Sequence, residues 1–219
     1  TNLAMWESLS SQLPASSNNG SLSLSGLIWI EGKWVLCGSR SLGGTNNQTI
    51  WISGTGTGNW TNISPNFFIN AGSSIQGVTY GAGKLLAFDN NGTIFTSSNW
   101  GSSWSSTNLS TNVAGSLGLV GGAYGNSRFV LAASDGTVWT SVDGTATWVR
   151  QLAPYPPIPW LGGNVLSSVV FGEGLFLLSD GRCSADGVRW TSPSHPIPQY
   201  GLGGVLPAGG GVSVSLSYG

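Results

Sequence analysis

The sequence predicts an all-β chain, a five-bladed β-propeller of four-stranded antiparallel blades, closed by a blade shared between the two termini. Three observations predict it. Trp6, Trp60, Trp104, Trp148 and Trp190 recur at intervals of 54, 44, 44 and 42 residues, each closing a short Ser/Asn/Asp/Gly-rich turn. A fixed period in this range marks a repeat architecture. Between the turns sit runs of four to six residues rich in Val, Ile, Leu, Phe and Thr, too short for helices. Each copy also carries three turn signals: a Gly-rich bend after an aromatic residue, an Asp/Asn-Gly bend, and the box before tryptophan. Three turns joining four short strands make one antiparallel meander, the unit of a propeller.

The copies follow in order. The first spans about 22–66 and carries an insertion at 39–48. The second, about 67–111, is the clearest, running from Val78 through Asp89-Asn-Asn-Gly92 to Trp104. The third, about 112–158, repeats it from Gly122 through Asp135-Gly136 to Trp148. The fourth, about 159–198, is shorter, with Asp180-Gly181 ahead of Trp190. Residues 199–219 read as the first two strands of a fifth copy and stop before any tryptophan box, while 1–21 supply Trp6 with nothing before it. Half a blade from each terminus would pair, removing free sheet edges and tying the ring shut. One closed ring would use all 219 residues as a single domain.

Composition narrows the function. Charged residues make up 7%, against about 25% in ordinary soluble domains. The surface must therefore be wetted by Ser, Thr, Asn and Gly. Seven Lys and Arg residues cannot build a basic stripe, so no nucleic-acid partner is expected. No apolar run approaches the roughly 18 residues of a membrane span, and no membrane insertion is expected. No charged and apolar leader opens the sequence, and Thr1 is what removal of an initiator methionine or of a signal could equally leave. Eleven tryptophans and 40% hydrophobic content require a packed interior. Cys37 and Cys183 fall in non-adjacent blades, beyond the disulfide reach of about 7 Å, and read as buried small hydrophobes. One histidine and two cysteines cannot make a zinc cluster, so neither metal nor cofactor is expected.

The box Ser97-Ser-Asn-Trp-Gly-Ser-Ser-Trp104 resembles the Asp-box, the bacterial-neuraminidase-type repeat Ser-x-Asp-x-Gly-x-Thr-Trp, with Asn99 in the Asp place and Gly101 at the glycine. In Ser141-Val-Asp-Gly-Thr-Ala-Thr-Trp148 the glycine arrives one residue early after Asp143. Ser184-Ala-Asp186-Gly-Val-Arg-Trp190 is one residue short, and 53–60 is degenerate. The resemblance covers 27–190 and implies a propeller. It does not imply one activity, since the family spans sialidases, other glycosidases, sorting receptors, photosystem assembly factors and phage or surface proteins. The expected role of Ser97, Asn99, Gly101, Trp104, Ser141, Asp143, Trp148, Ser184, Asp186 and Trp190 is structural. The Asp or Asn side chain accepts backbone NH groups of its own turn, and the tryptophan covers the gap between neighbouring sheets.

Meander geometry puts the Gly-rich bends and the boxes on one, lower face. The Asp/Asn-Gly bends and inter-blade loops share the upper face. A sialidase would need three converging arginines, but Arg128, Arg150 and Arg189 fall low, and Arg40 and Arg182 lie in non-adjacent blades. A glycosidase would need paired carboxylates at the funnel. The innermost strands, about 26–30, 75–80, 119–124, 165–171 and 202–206, contain no Asp or Glu. Asp89, Asp135 and Asp180 repeat at one upper bend, as turn residues do, and no acid neighbours His195 in sequence. No catalytic residue is expected.

Recognition is the remaining reading. The Pro-stiffened loop 151–163 presents Tyr155 and Trp160, and loop 191–201 presents His195 and Tyr200. The insertion adds Arg40 and Asn47. Aromatic faces beside amides suit an uncharged polar ligand such as a sugar, although these rings could equally plug the funnel. Trp29, Tyr80, Tyr124 and Phe171 recur at one position per blade and are expected as a core layer; Trp51, Phe95 and Trp139 form another, which Arg182 interrupts. The leading expectation is a non-catalytic, lectin-like or host-attachment protein, extracellular or on a virion, with a glycan or surface receptor as partner. The alternatives are a structural virion module, such as a phage-tail component holding a protein partner, and, less favoured, a glycoside hydrolase.

Overall fold

The structure, a computed structural model, describes residues 22–42, 45–65, 73–112, 117–151, 166–191, 202–208 and 212–217. They form meander sheets in chain order. The first comprises β1 (Leu22–Ile30), β2 (Lys33–Leu42), β3 (Thr45–Ser53) and β4 (Thr61–Asn62). The second is β5 (Ile75–Gly81), β6 (Lys84–Asp89), β7 (Thr93–Ser97) and β8 (Ser105–Asn108); the third is β9 (Leu119–Gly125), β10 (Arg128–Ala133), β11 (Val138–Ser141) and β12 (Val149–Gln151). The fourth holds β13 (Val169–Gly172), β14 (Leu175–Leu178) and β15 (Cys183–Ser184), and the last pairs β16 (Leu202–Ala208) with β17 (Val212–Ser217). The leading strands pack in succession, β1 beside β5, β5 beside β9, β9 beside β13 and β13 beside β16. No sheet among the described residues joins strands from the two ends of the chain.

The leading hairpins are built alike. Glu31-Gly32, Ala82-Gly83, Asn126-Ser127 and Glu173-Gly174 all hold positive φ, between 45° and 77°. Two consecutive left-handed residues make the two-residue turn whose twist matches that of its strands. Beside three of these turns an aromatic pair crosses the hairpin. Trp29 meets Trp34 at 5.0 Å between centroids, Tyr124 meets Phe129 at 4.7 Å, and Phe171 meets Phe176 at 4.7 Å. Such pairs add to the stability of a two-stranded ribbon.

The central strands are apolar on both sides because each faces two neighbouring sheets. In β6, Leu85 and Ala87 join a cluster with Val35, Cys37, Ile50 and Phe95, toward the first sheet. Leu86 and Phe88 point the other way, to Phe129, Leu131 and Trp139 of the third. In β10 the alternation repeats: Val130 and Ala132 turn to Val169, Phe176 and Leu178 of the fourth sheet. Period-2 burial on both faces explains why these strands read as unbroken hydrophobic runs.

The 39–48 insertion lengthens the β2–β3 hairpin, with Arg40 opposite Asn47 and Leu42 opposite Thr45. Three expectations need correction. The fourth sheet has three strands, and its outer partner is reduced to one bridge, Cys183 to Thr191. Cys183 is half-buried, because that thin edge leaves it uncovered, whereas Cys37 is buried. Trp29 is 53% exposed and not in a core layer. Its counterparts Tyr124 and Phe171 are half-buried and lie over Gly81 and Gly125 of the preceding sheet; a Cβ on those glycines would fall 1.9 Å and 2.2 Å from the rings. Trp29 stands in the first described sheet, and no preceding sheet receives it among the described residues. Trp51, Phe95 and Trp139 are buried as expected, and Arg182 is buried with them.

Candidate functional site

Each box is a hydrogen-bonded knot. The Ser97 hydroxyl accepts the Gly101 NH at 2.8 Å, and Asn99 Oδ1 accepts the Ser103 NH at 2.9 Å. In the third sheet, Ser141 Oγ accepts the Gly144 NH at 2.9 Å and Asp143 Oδ1 the Thr145 NH at 3.0 Å. In the fourth, Ser184 Oγ accepts the Gly187 NH at 2.8 Å, while Asp186 Oδ1 takes Val188 and Arg189 NH at 2.9 and 2.8 Å. Backbone donors favour the ionised carboxylate. Thr145 NH foremost holds Asp143 well below the usual carboxylate range, and Arg189 NH does the same for Asp186. The degenerate first box keeps only the serine, Ser53 Oγ accepting Gly56 NH at 3.1 Å.

The boxes also join the sheets. Trp104 Nε1 donates to the Ile63 carbonyl of the first sheet at 2.7 Å. Lys33 Nζ sits 4.8 Å from the Trp100 ring, which stacks on Tyr80. Lys84 Nζ donates to the Asp143 carbonyl at 2.6 Å, and Thr96 Oγ1 to the Gly144 carbonyl at 2.7 Å. Asn126 Nδ2 donates to the Ala185 carbonyl at 2.7 Å. Lys33, Lys84 and Asn126 follow one pattern, in which the leading hairpin of one sheet grips the box of the next; Thr96 of β7 and Ile63 after β4 add to these contacts. Sequence reasoning missed these grips, although a basic residue after each of the first three leading bends (Lys33, Lys84, Arg128) was a visible signal.

The described aspartates serve turns. Asp135 Oδ1 accepts the Thr137 NH at 2.9 Å, and Asp180 Oδ1 the Arg182 NH at 3.0 Å. Arg182 completes an ion pair to Asp180 Oδ2 at 2.7 Å and donates to the Gly136 carbonyl of the third sheet at 3.1 Å. Glu31 accepts the Tyr80 hydroxyl at 3.0 Å. Asp89 differs in being fully buried. Its Oδ1 accepts Thr93 and Asn91 NH at 2.7 and 2.9 Å, and the Thr93 and Gln48 side chains also favour the ionised carboxyl, while Oδ2 receives no backbone donor. Gln48, across the first–second sheet boundary, leaves its own Oε1 buried without a donor and turns Nε2 to Ser73 Oγ. Burial raises the Asp89 carboxyl above its ordinary value despite the opposing hydrogen bonds. No pair of acids faces across the leading strands among the described residues.

The upper-face candidates are placed unevenly. Tyr155, Trp160, His195 and Tyr200 lie outside the described residues. For Arg40 and Asn47 the backbone is described, and they sit opposite each other in the long β2–β3 hairpin. Among the described residues, no three His, Cys, Asp or Glu side chains gather as metal ligands.

No family model matches the sequence, and no curated protein matches it. Solved structures do. The chain is similar to YCF48 from Cyanidioschyzon merolae, at 16% identity and TM-score 0.54, over 80% of this chain and 58% of that one. It is similar to the computationally designed Ika8 protein, at 13% identity and TM-score 0.54, over 89% and 55%. A chain of the mitotic checkpoint complex aligns at 8% identity and TM-score 0.52, over 81% and 48%. The chain therefore spans about half the length of these structures, and the likeness is one of fold: an all-β, propeller-type stack of antiparallel sheets.

Proposed function

We propose that this chain is a non-catalytic recognition propeller of the Asp-box kind, closed as five blades by 199–219 and 1–21, that binds a neutral glycan on an extracellular or virion surface. The observation that carries the reading is the engagement of its acids. Asp89, Asp135, Asp143, Asp180 and Asp186 each accept backbone NH groups of their own turns, which leaves them poorly suited as a general acid and nucleophile pair. With 7% charged residues, the molecule presents hydroxyls, amides and aromatic rings to a ligand, a surface matched to sugars. Tyr155, Trp160, His195 and Tyr200, with Arg40 and Asn47, are the residues assigned to contact.

A glycan array tests this directly. Binding should be lost in the Trp160→Ala, Tyr200→Ala double variant; binding that survives removes the site assignment. Turnover of an aryl glycoside, abolished by Asp135→Asn, would overturn the non-catalytic reading. A second reading is a structural module holding a protein partner, within a virion or another assembly. The exposed row Leu24, Leu27 and Trp29 on β1 favours it, and one similar structure is a chain of a multi-protein complex. Absence of glycan binding together with stable association to a virion protein would select that reading.

A further inference from the structure

The upper turns of the second, third and fourth sheets are built alike. In each, a glycine NH returns to the carbonyl three residues before it: Gly92 to Asp89 at 3.4 Å, Gly136 to Ala133 at 3.0 Å and Gly181 to Leu178 at 2.9 Å. Asn91, Asp135 and Asp180 therefore share one position, immediately before the glycine. In two of the three turns that side chain is tied down. Asp135 Oδ1 accepts the Thr137 NH and Asp180 Oδ1 the Arg182 NH, each from two residues on, which closes an Asx turn. In the second sheet the matching donor, the Thr93 NH, goes to Asp89 Oδ1 at 2.7 Å instead. Asp89 lies two residues before Asn91, where the other turns carry Ala133 and Leu178, so this turn alone of the three has a competing acceptor. Every hydrogen bond of Asn91 among the described residues is made by its main chain. Its NH donates to Asp89 Oδ1 at 2.9 Å, and its carbonyl accepts Ser110 Oγ at 2.7 Å and Asn108 Nδ2 at 3.5 Å. The carboxamide is left free on a half-buried residue.

We propose that Asn91 is a self-modification site, at which the freed carboxamide is replaced by a carboxylate. The Gly92 nitrogen gives up its proton to solvent and attacks Asn91 Cγ. The Cγ–Nδ2 bond breaks, ammonia leaves with a proton from solvent, and a five-membered succinimide closes. Water then opens either carbonyl of that ring, leaving an aspartyl or an isoaspartyl residue at position 91. The step consumes water, releases ammonia and needs no other reagent. Three features of the turn favour it. Glycine has no side chain to obstruct the ring. The Gly92 NH makes the longest of the three turn bonds. The donors on the Asn91 carbonyl also draw charge from that peptide and make its NH more acidic. The aspartyl product restores the residue type of Asp135 and Asp180 and adds one negative charge to a chain of formal net charge -1. The isoaspartyl product instead lengthens the backbone by one methylene, between the Ser110 bond to Asn91 and the Leu109 NH bond to the Gly92 carbonyl at 2.8 Å.

Peptide mapping by mass spectrometry of the folded full chain, held in mildly alkaline buffer, reads the result. Position 91 should gain both acids with time, resolved from Asn19-Gly20, the other Asn-Gly pair in the sequence. Asp89→Ala returns the Thr93 NH to the Asn91 side chain and should slow conversion about fivefold, the weight of one net hydrogen bond. Asp89→Asn keeps the Oδ1 acceptor without its charge and should convert like wild type. Conversion that is unchanged or faster in a folded Asp89→Ala chain overturns the proposal, because the Asn-Gly pair alone would then set the rate. If Asp89→Ala does not fold, wild type decides. Its native rate at position 91 should lie within about tenfold of its rate in urea, as for a site that reacts without unfolding, and a slower native rate overturns the proposal.

Discussion

Replacing Asp89 by Asn should stabilise this protein at neutral pH. The Asp89 side chain is fully enclosed, and both of its backbone donors go to Oδ1. The other oxygen receives no backbone donor; the Gln48 side chain lies against the carboxyl, and Gln48 Oε1 is buried without a donor. An amide keeps Oδ1 for the Asn91 and Thr93 NH groups and offers Nδ2 in place of Oδ2, with Gln48 Oε1 as its acceptor. An unsatisfied buried acceptor costs about 1–3 kcal/mol, so a gain of about 1 kcal/mol is expected at pH 7. For a chain of this size that raises Tm by roughly 2–4 °C. The pH dependence sharpens the test. A carboxyl raised by burial favours the neutral form in the folded state, so its contribution is best below the unfolded value of about 3.9. It falls as pH rises through the folded value. The difference between variant and wild type should therefore be small at pH 4 and grow toward pH 7, measured by urea denaturation at each pH. A variant less stable than wild type at pH 7, or a difference that shrinks as pH rises, would refute the reasoning.

Three further outcomes are expected. Asp143→Asn should change stability at pH 7 by less than about 0.5 kcal/mol, because Asn99 already fills the equivalent role. It should also remove part of the acid sensitivity, since a depressed carboxylate contributes above its unfolded value and loses that contribution as pH falls through the folded one; Asp143→Ala should be clearly less stable in the same urea titration. Gly81→Ala and Gly125→Ala should each destabilise by about 1–3 kcal/mol, because the new methyl group meets the Tyr124 or Phe171 ring; thermal melts that match wild type would contradict the inter-sheet packing. Arg182→Ala should cost about 3 kcal/mol by removing the partner of a largely buried carboxylate, and Asp180→Asn in the same chain should recover part of that loss in a double-mutant cycle.

The 44-residue period, the three turn signals and the alternation of apolar residues made the meander sheets legible before any coordinates. They are local: a turn needs its own glycine or Asx residue, and a strand in two cores needs apolar side chains on both sides, so each copy writes its structure into its own sequence. The Ser and Asp/Asn positions of the boxes were legible for the same reason, since their partners lie within four residues. What lies between copies was not. That Lys84 reaches the Asp143 carbonyl, that Tyr124 needs Gly81 beneath it, and that Gln48 meets Asp89 depend on how two sheets pack face to face. So does the exposure of Trp29 and Cys183. A repeated position looks equivalent in sequence whether or not a neighbouring sheet covers it, and burial is a property of the neighbour. The sequence alone determined the repeat and its knots; tertiary packing decided which of the repeated side chains are enclosed and which join the sheets.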